Sequence, residues 1–365
     1  FSFSMFLSSI KAGGVHLKPA ETVDKTLSAA ELQRTEPDSD NSEELTAYFF
    51  QAGVDKWYNQ LKECTFKSDF VLLLPDEVNS IIRNWKALKD ATKENSSIPP
   101  TKHIPDQLNS LVERIDNSIQ THFHASSTLS AQGKVFIKLS SRSPKDSKTI
   151  LKRASERYEK IDTSKYTLND RLSLFSELML KCSCVSSGKE AVTIMLDSCR
   201  IAEDLMAAYS EDDHVLKYNV SIVVRGWDSR ISPKCEFRGF VIDRKLTCIG
   251  QYWHHLRFPE LDDIKEQVGK DCLEFFETLK EYLPVPNAML DFAWLGPGKV
   301  ILIEVNPLAD GLGSFRGSTG LFGYEEDVLQ GKASFEVRLC TKEAQKHELQ
   351  YVMDPEWRKI LLVDH

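Results

Sequence analysis

The chain has 365 residues, of which 41% are hydrophobic, and carries a net charge of −8. That is enough apolar material for one large domain or two modest ones. The acidic balance argues against broad non-specific nucleic-acid binding, which needs a basic surface, and no apolar run approaches the roughly 20 residues of a membrane span.

Residue 1 is phenylalanine, as expected of a segment of a longer product, and the short apolar stretch at 1–7 lacks the basic region of a signal peptide. Residues 18–44 are polar and acidic, so 1–44 is expected to be a linker or disordered segment, with one folded domain over 45–365. Eight cysteines are scattered through apolar segments. Only Cys182 and Cys184 lie close together, with no second pair at zinc-ribbon spacing. This usage suits reduced core thiols and a reducing, cytoplasmic compartment.

From residue 48 the periodicity predicts a helix to Cys64, a strand over 66–75, and a helix capped by Asp76 with Val78, Ile81, Ile82 and Trp85 on one face. Residues 91–103 form a polar loop. Asp106 is the expected cap of a further helix with Leu108, Leu111, Val112, Ile115 and Ile119 inward. The stretch 133–146 is a strand running into a polar loop. Lys138 lies in its apolar part, so either an anion meets the ammonium or the side chain stretches to water. Arg142 and Lys145 follow, and three cations so close suit phosphates, although a solvated loop would look similar.

Helices are expected over 150–167, 172–180 and, as one long element, 187–208. Three strands follow at 218–227, 235–242 and 245–252. Glu236 and Arg238 share one face of the second by the two-residue period. A capped helix over 262–283 ends at Pro284 and Pro286. Two strands joined by a Gly-Pro-Gly turn then occupy 288–305. A glycine-rich turn region over 311–323 and closing strands at 335–340 and 349–353 complete the chain.

The late hairpin carries Asp291, Glu304 and Asn306 where an apolar strand pair tolerates few polar groups. Alternation puts Glu304 and Asn306 on one face, and the turn brings Asp291 alongside. Two carboxylates and an amide on one wall suit a hard cation such as Mg²⁺ together with phosphates, or else are polar residues at exposed strand ends. There is no Walker-type phosphate loop and no Gly-x-Gly-x-x-Gly. His254 and His255 have no third ligand at a suggestive spacing.

Taken in order, a lysine strand, a strand with a backbone edge near Val223 and Val224, a Glu-x-Arg strand and a carboxylate hairpin resemble the ATP-grasp fold, an α+β fold in which two subdomains clasp ATP. Within it the chain resembles the cell division cycle protein 123 family. Five stretches carry the resemblance: 65–78, 133–146, 222–227, 236–241 and 291–307. It implies that Lys138 contacts phosphates and that Val223 and Val224 form an adenine hinge through backbone groups. Arg225 and Arg238 would face the phosphate end, and Glu236 would join them at the nucleotide. Asp146 would order its loop or approach the nucleotide. Asp291, Glu304 and Asn306 would ligate Mg²⁺. The chain departs from the family at Ser140 and Ser141, where Asn-Trp is common, at Gly226, where Lys is usual, and at Glu304, where Asp is common.

The resemblance implies an ATP-dependent assembly chaperone for eukaryotic translation initiation factor 2, acting through its γ subunit. The alternatives are an ATP-grasp ligase that activates a carboxylate as an acyl-phosphate, and an interaction module that binds no nucleotide. An intact set of buried charges disfavours the last, because unpaired burial costs several kcal/mol.

Overall fold

The structure is a computed structural model. It describes residues 41–91, 103–124, 133–308 and 319–362, apart from 324, 344, 348 and 350–353. Residues 1–40 of the linker expected over 1–44, most of the loop at 91–103, most of the glycine-rich region and all but Leu349 of the closing strand at 349–353 therefore lie outside the described residues.

Two sheets organise the chain. The first is antiparallel and four-stranded, with β1 (Ser68–Leu72), β6 (Ser221–Gly226), β2 (Val135–Leu139) and β3 (Cys184–Val185) in that spatial order. A short ribbon pairs β4 (Tyr209–Ser210) with β5 (Val215–Leu216). The second sheet is ordered β10 (Val300–Pro307), β9 (Ala288–Trp294), β7 (Glu236–Ile242), β8 (Lys245–Gln251) and β11 (Glu336–Arg338). Only β11, lying parallel to β8, breaks its antiparallel pattern. The sheets meet where Thr65 bridges Leu302.

Most expected elements form, with shifted ends. The first described helix, Asn41–Gln51, runs across the boundary expected at residue 45. The helix predicted to reach Cys64 breaks after Gln51 and resumes at Val54. In the helix Pro75–Asp90, Asp76 is not the cap. Pro75 opens the first turn and the Glu77 carboxylate accepts from the Leu74 N–H at 2.9 Å. Asp106 starts a 3-10 turn and the helix proper is Asn109–Phe123. Asp262 likewise falls in a 3-10 turn ahead of the helix Lys265–Leu279.

The single helix expected over 187–208 is two, Gly188–Leu196 and Cys199–Ala208. Asp197 and Ser198 break it. The buried Asp197 carboxylate accepts from the Ser147 and Thr149 hydroxyls, each at 2.6 Å, and the Ser198 hydroxyl caps Ile201. Short polar side chains compete with the helical ladder in this way, and the apolar period runs straight through them.

Candidate functional site

Register brings the charged residues together. On the five-stranded sheet Arg238 faces Asp291 across the β7–β9 pair, and Asp291 faces Glu304 across β9–β10. Directly opposed residues of an antiparallel pair point to one face. The β10 strand carries a bulge between Leu302 and Glu304. Leu302 pairs Phe292, yet Glu304 pairs Asp291, so Ile303 is the extra residue. Without the bulge, with Ile303 in the regular ladder, Glu304 would oppose Leu290 and point away from Asp291. With it Glu304 and Asn306 join Asp291, while Leu290, Phe292, Leu302 and Val305 bury the other face near the helix Lys265–Leu279.

The bulge is held from the other sheet. Arg225, fully buried on β6, donates to the Ile303 carbonyl at 2.8 Å and to the Thr65 hydroxyl. Its guanidinium packs over the Phe66 and Phe136 rings. Burial pushes its pKa down to about 10. Arg225 therefore ties the sheets together rather than facing a phosphate, which corrects the role implied for it.

Two ion pairs span the centre. Lys138 on β2 is 2% exposed and places Nζ 2.7 Å from Glu304 Oε1. This settles the earlier choice: an anion meets the ammonium. Burial presses the Lys138 pKa below the ordinary lysine value. Burial would raise Glu304, but Lys138 and then Lys145 outweigh it and hold the carboxyl down at about 2. Arg238 grips Asp291 with two bonds, Nε at 2.7 Å and Nη2 at 2.9 Å, and Asn306 Nδ2 donates to Asp291 Oδ2 at 3.2 Å.

Glu236 lies on the same strand face as Arg238. Burial, aided by the charge of Asp291, pushes its carboxyl up to about 7 despite Lys145. Lys145 extends from the loop after β2 to donate to the Tyr252 hydroxyl at 2.9 Å. Tyr252 also underlies Arg238, 4.8 Å from ring centre to guanidinium.

Four expected residues stand apart. Val223 and Val224 pair with β1 on one side and β2 on the other, and both side chains are fully buried. Their backbone edge is taken, so they offer no hinge to a base. Asp146 accepts from the Ser198 hydroxyl and from the Arg200 N–H at 3.1 Å, and so orders its loop against the helix Cys199–Ala208. Arg142, read as a phosphate cation, instead turns inward onto Asp204 at 2.7 Å and onto Glu203.

Sequence reasoning missed Tyr252 and Asp271. Asp271 accepts from the Trp294 indole at 2.8 Å and the Gly298 N–H at 2.9 Å, pinning the turn in which Gly296 and Gly298 take positive φ. Neither residue has a motif around it.

The donor set fits a hard cation that takes part of its shell from phosphate or water. It offers two carboxylates and an amide, all oxygen-bearing, on one wall. Among the described residues no three His, Cys, Asp or Glu side chains converge as a complete cage. No helix among them is long and apolar enough to cross a membrane, and all eight cysteines are free thiols.

The fold and sequence have known relatives. The structure of C-terminally truncated Cdc123 from Schizosaccharomyces pombe matches with a TM-score of 0.53 at 18% identity, covering 81% of this chain and 98% of that one. The architecture is therefore ATP-grasp-like α+β. A protein named translation initiation factor eIF2 assembly protein, from Sclerotinia sclerotiorum, is 26% identical over 274 residues, 72% of this chain and 61% of that protein. The Danio rerio protein of the same name is 29% identical over 157 residues, 42% of each chain. This chain thus spans less than two thirds of the length of these relatives. The D123 family model matches residues 173–359, about half of the chain, and takes in the Glu-x-Arg strand and the carboxylate hairpin. The chain belongs to the D123 family.

Proposed function

We propose that the chain binds ATP with Mg²⁺ in the cleft between its sheets and serves in assembly of translation initiation factor 2, with the γ subunit as its partner. The observation that carries the nucleotide reading is the pair of ion pairs, Lys138–Glu304 and Arg238–Asp291, side by side on one sheet face with Asn306. Each pair holds a cation suited to phosphate and a carboxylate suited to Mg²⁺. An ATP–Mg²⁺ complex could exchange with both pairs at once: phosphate oxygens take the cations and the metal takes the carboxylates. No buried charge is left alone in that exchange, which is what makes binding affordable. The partner assignment rests on the names of the relatives alone.

Calorimetric titration of ATP with and without Mg²⁺ tests the nucleotide reading. The intact chain should bind with a Mg²⁺-dependent affinity. Asp291→Asn with Glu304→Gln, which keep side-chain shape, should lose that dependence by about a hundredfold, the equivalent of roughly 3 kcal/mol. A folded wild-type chain that binds no ATP overturns the reading. Capture of purified γ subunit by the immobilised chain tests the partner separately.

A further inference from the structure

An opening lies along the same face of the five-stranded sheet, at its β7–β8 end. It encloses about 260 Å³. Lys145, Arg238, Tyr252, Trp253, Thr319 and Gly320 are among the residues that line it.

Two of these groups have bonding capacity to spare. Thr319 is only 4% exposed, and its hydroxyl has no hydrogen-bond partner among the described residues. A buried hydroxyl left so is a standing cost that a ligand can relieve. Lys145 stays solvent-accessible in the opening and gives the Tyr252 hydroxyl one bond, while its ammonium lies 4.7 Å from the ring centre. An ammonium has three protons to donate. Arg238 differs, because Asp291 already takes two of its N–H groups.

Charge and size narrow the ligand. Lys138 already matches Glu304 and Arg238 already matches Asp291, so a dianion entering here finds one ammonium with donors to give, Lys145, and is left with a charge unmet. A monoanion meets that ammonium and a hydroxyl. A carboxylate has two oxygens, one for each donor. The volume lies below the roughly 300–1,000 Å³ of drug-sized sites, so the ligand is small. The geometry points to a second binding site, for a small monocarboxylate, with Lys145 and Thr319 as its donors and Tyr252 as its wall. This site stands on the cleft alone and goes beyond the nucleotide reading.

Saturation-transfer NMR on the full chain tests it, with sodium propionate as the probe and inorganic phosphate as competitor. Propionate should receive saturation. Thr319→Val, which keeps shape and removes the hydroxyl, should weaken it several-fold, and Lys145→Met should weaken it about tenfold or more. Thr319→Val should leave the ATP–Mg²⁺ affinity of the same preparation unchanged. Absence of saturation transfer overturns the proposal, as does equal binding by both variants and wild type. Phosphate displacing propionate more strongly than acetate does would overturn the carboxylate assignment. Propionate binding by a chain that binds no ATP would uphold this site and sink only the nucleotide reading.

Discussion

The charged face of the five-stranded sheet has two ends, and they are built on different terms. At the β9–β10 end each acid has its own cation in contact, Lys138 for Glu304 and Arg238 for Asp291. At the β7–β8 end Glu236 has no ion pair among the described residues, and Lys145 meets a phenol instead of an acid. Glu236 and Glu304 are both largely buried, yet one carboxyl is pushed up to about 7 and the other held at about 2. Burial alone raises a carboxyl, and a cation in contact reverses the sign. The matched end is thus locked until something exchanges with both partners, while the unmatched end has room and donors for a ligand.

The sharpest way to break this contrast is to unmatch the matched end. Arg238→Met leaves Asp291 buried without its guanidinium and should cost about 3–5 kcal/mol in urea unfolding at neutral pH. A loss under about 1 kcal/mol, the scale of a surface pair, would show that the pair is not desolvated.

Lys138→Met should cost about 3 kcal/mol by the same physics, and it carries a pH signature. Glu304 is depressed from 4.5 to about 2, so its pairing stabilises the fold above pH 4.5 and that stability drains away as pH falls toward 2. The variant should lose this acid limb in unfolding measured across pH 2 to 5.

Glu236 predicts the opposite slope. Its folded carboxyl is raised from 4.5 to about 7, so the folded chain holds a proton that the unfolded chain releases, and stability declines as pH rises through that window. Glu236→Gln should remove the decline and gain about 2 kcal/mol relative to wild type at the upper end. An unchanged pH profile would mean that Glu236 is charged in the fold.

The smallest effect tests the support of the hairpin. Asp271→Asn weakens the acceptor for Trp294 and Gly298 and should cost about 1 kcal/mol, seen as earlier amide exchange at Gly298 with the rest of the sheet unaffected.

Much of this face could be read from residue order. Alternation alone paired Glu304 with Asn306 and Glu236 with Arg238, because a two-residue period is a local property. What escaped were the features that depend on distant neighbours. Val223 and Val224 looked like a usable edge because the strand that covers one side of them, β1, lies some 150 residues earlier in the chain. Arg142 looked like a phosphate cation because Asp204, its partner, arrives on a helix that the periodicity merged with the one before it. The bulge at Ile303 had no marker at all, since an isoleucine in a bulge is indistinguishable from one in a strand.

That bulge makes the hairpin behave like a reading frame. Which apolar residue stands at 303 matters little, because its backbone carbonyl is what Arg225 grips. Whether it stays bulged out of the ladder matters a great deal. Draw Ile303 into the regular ladder and every later position on the strand changes sides: Glu304 and Asn306 turn toward the helix behind the sheet, and Val305 turns toward Lys138. A one-residue slip of register there rewrites the chemistry of the whole face without altering a single charged side chain.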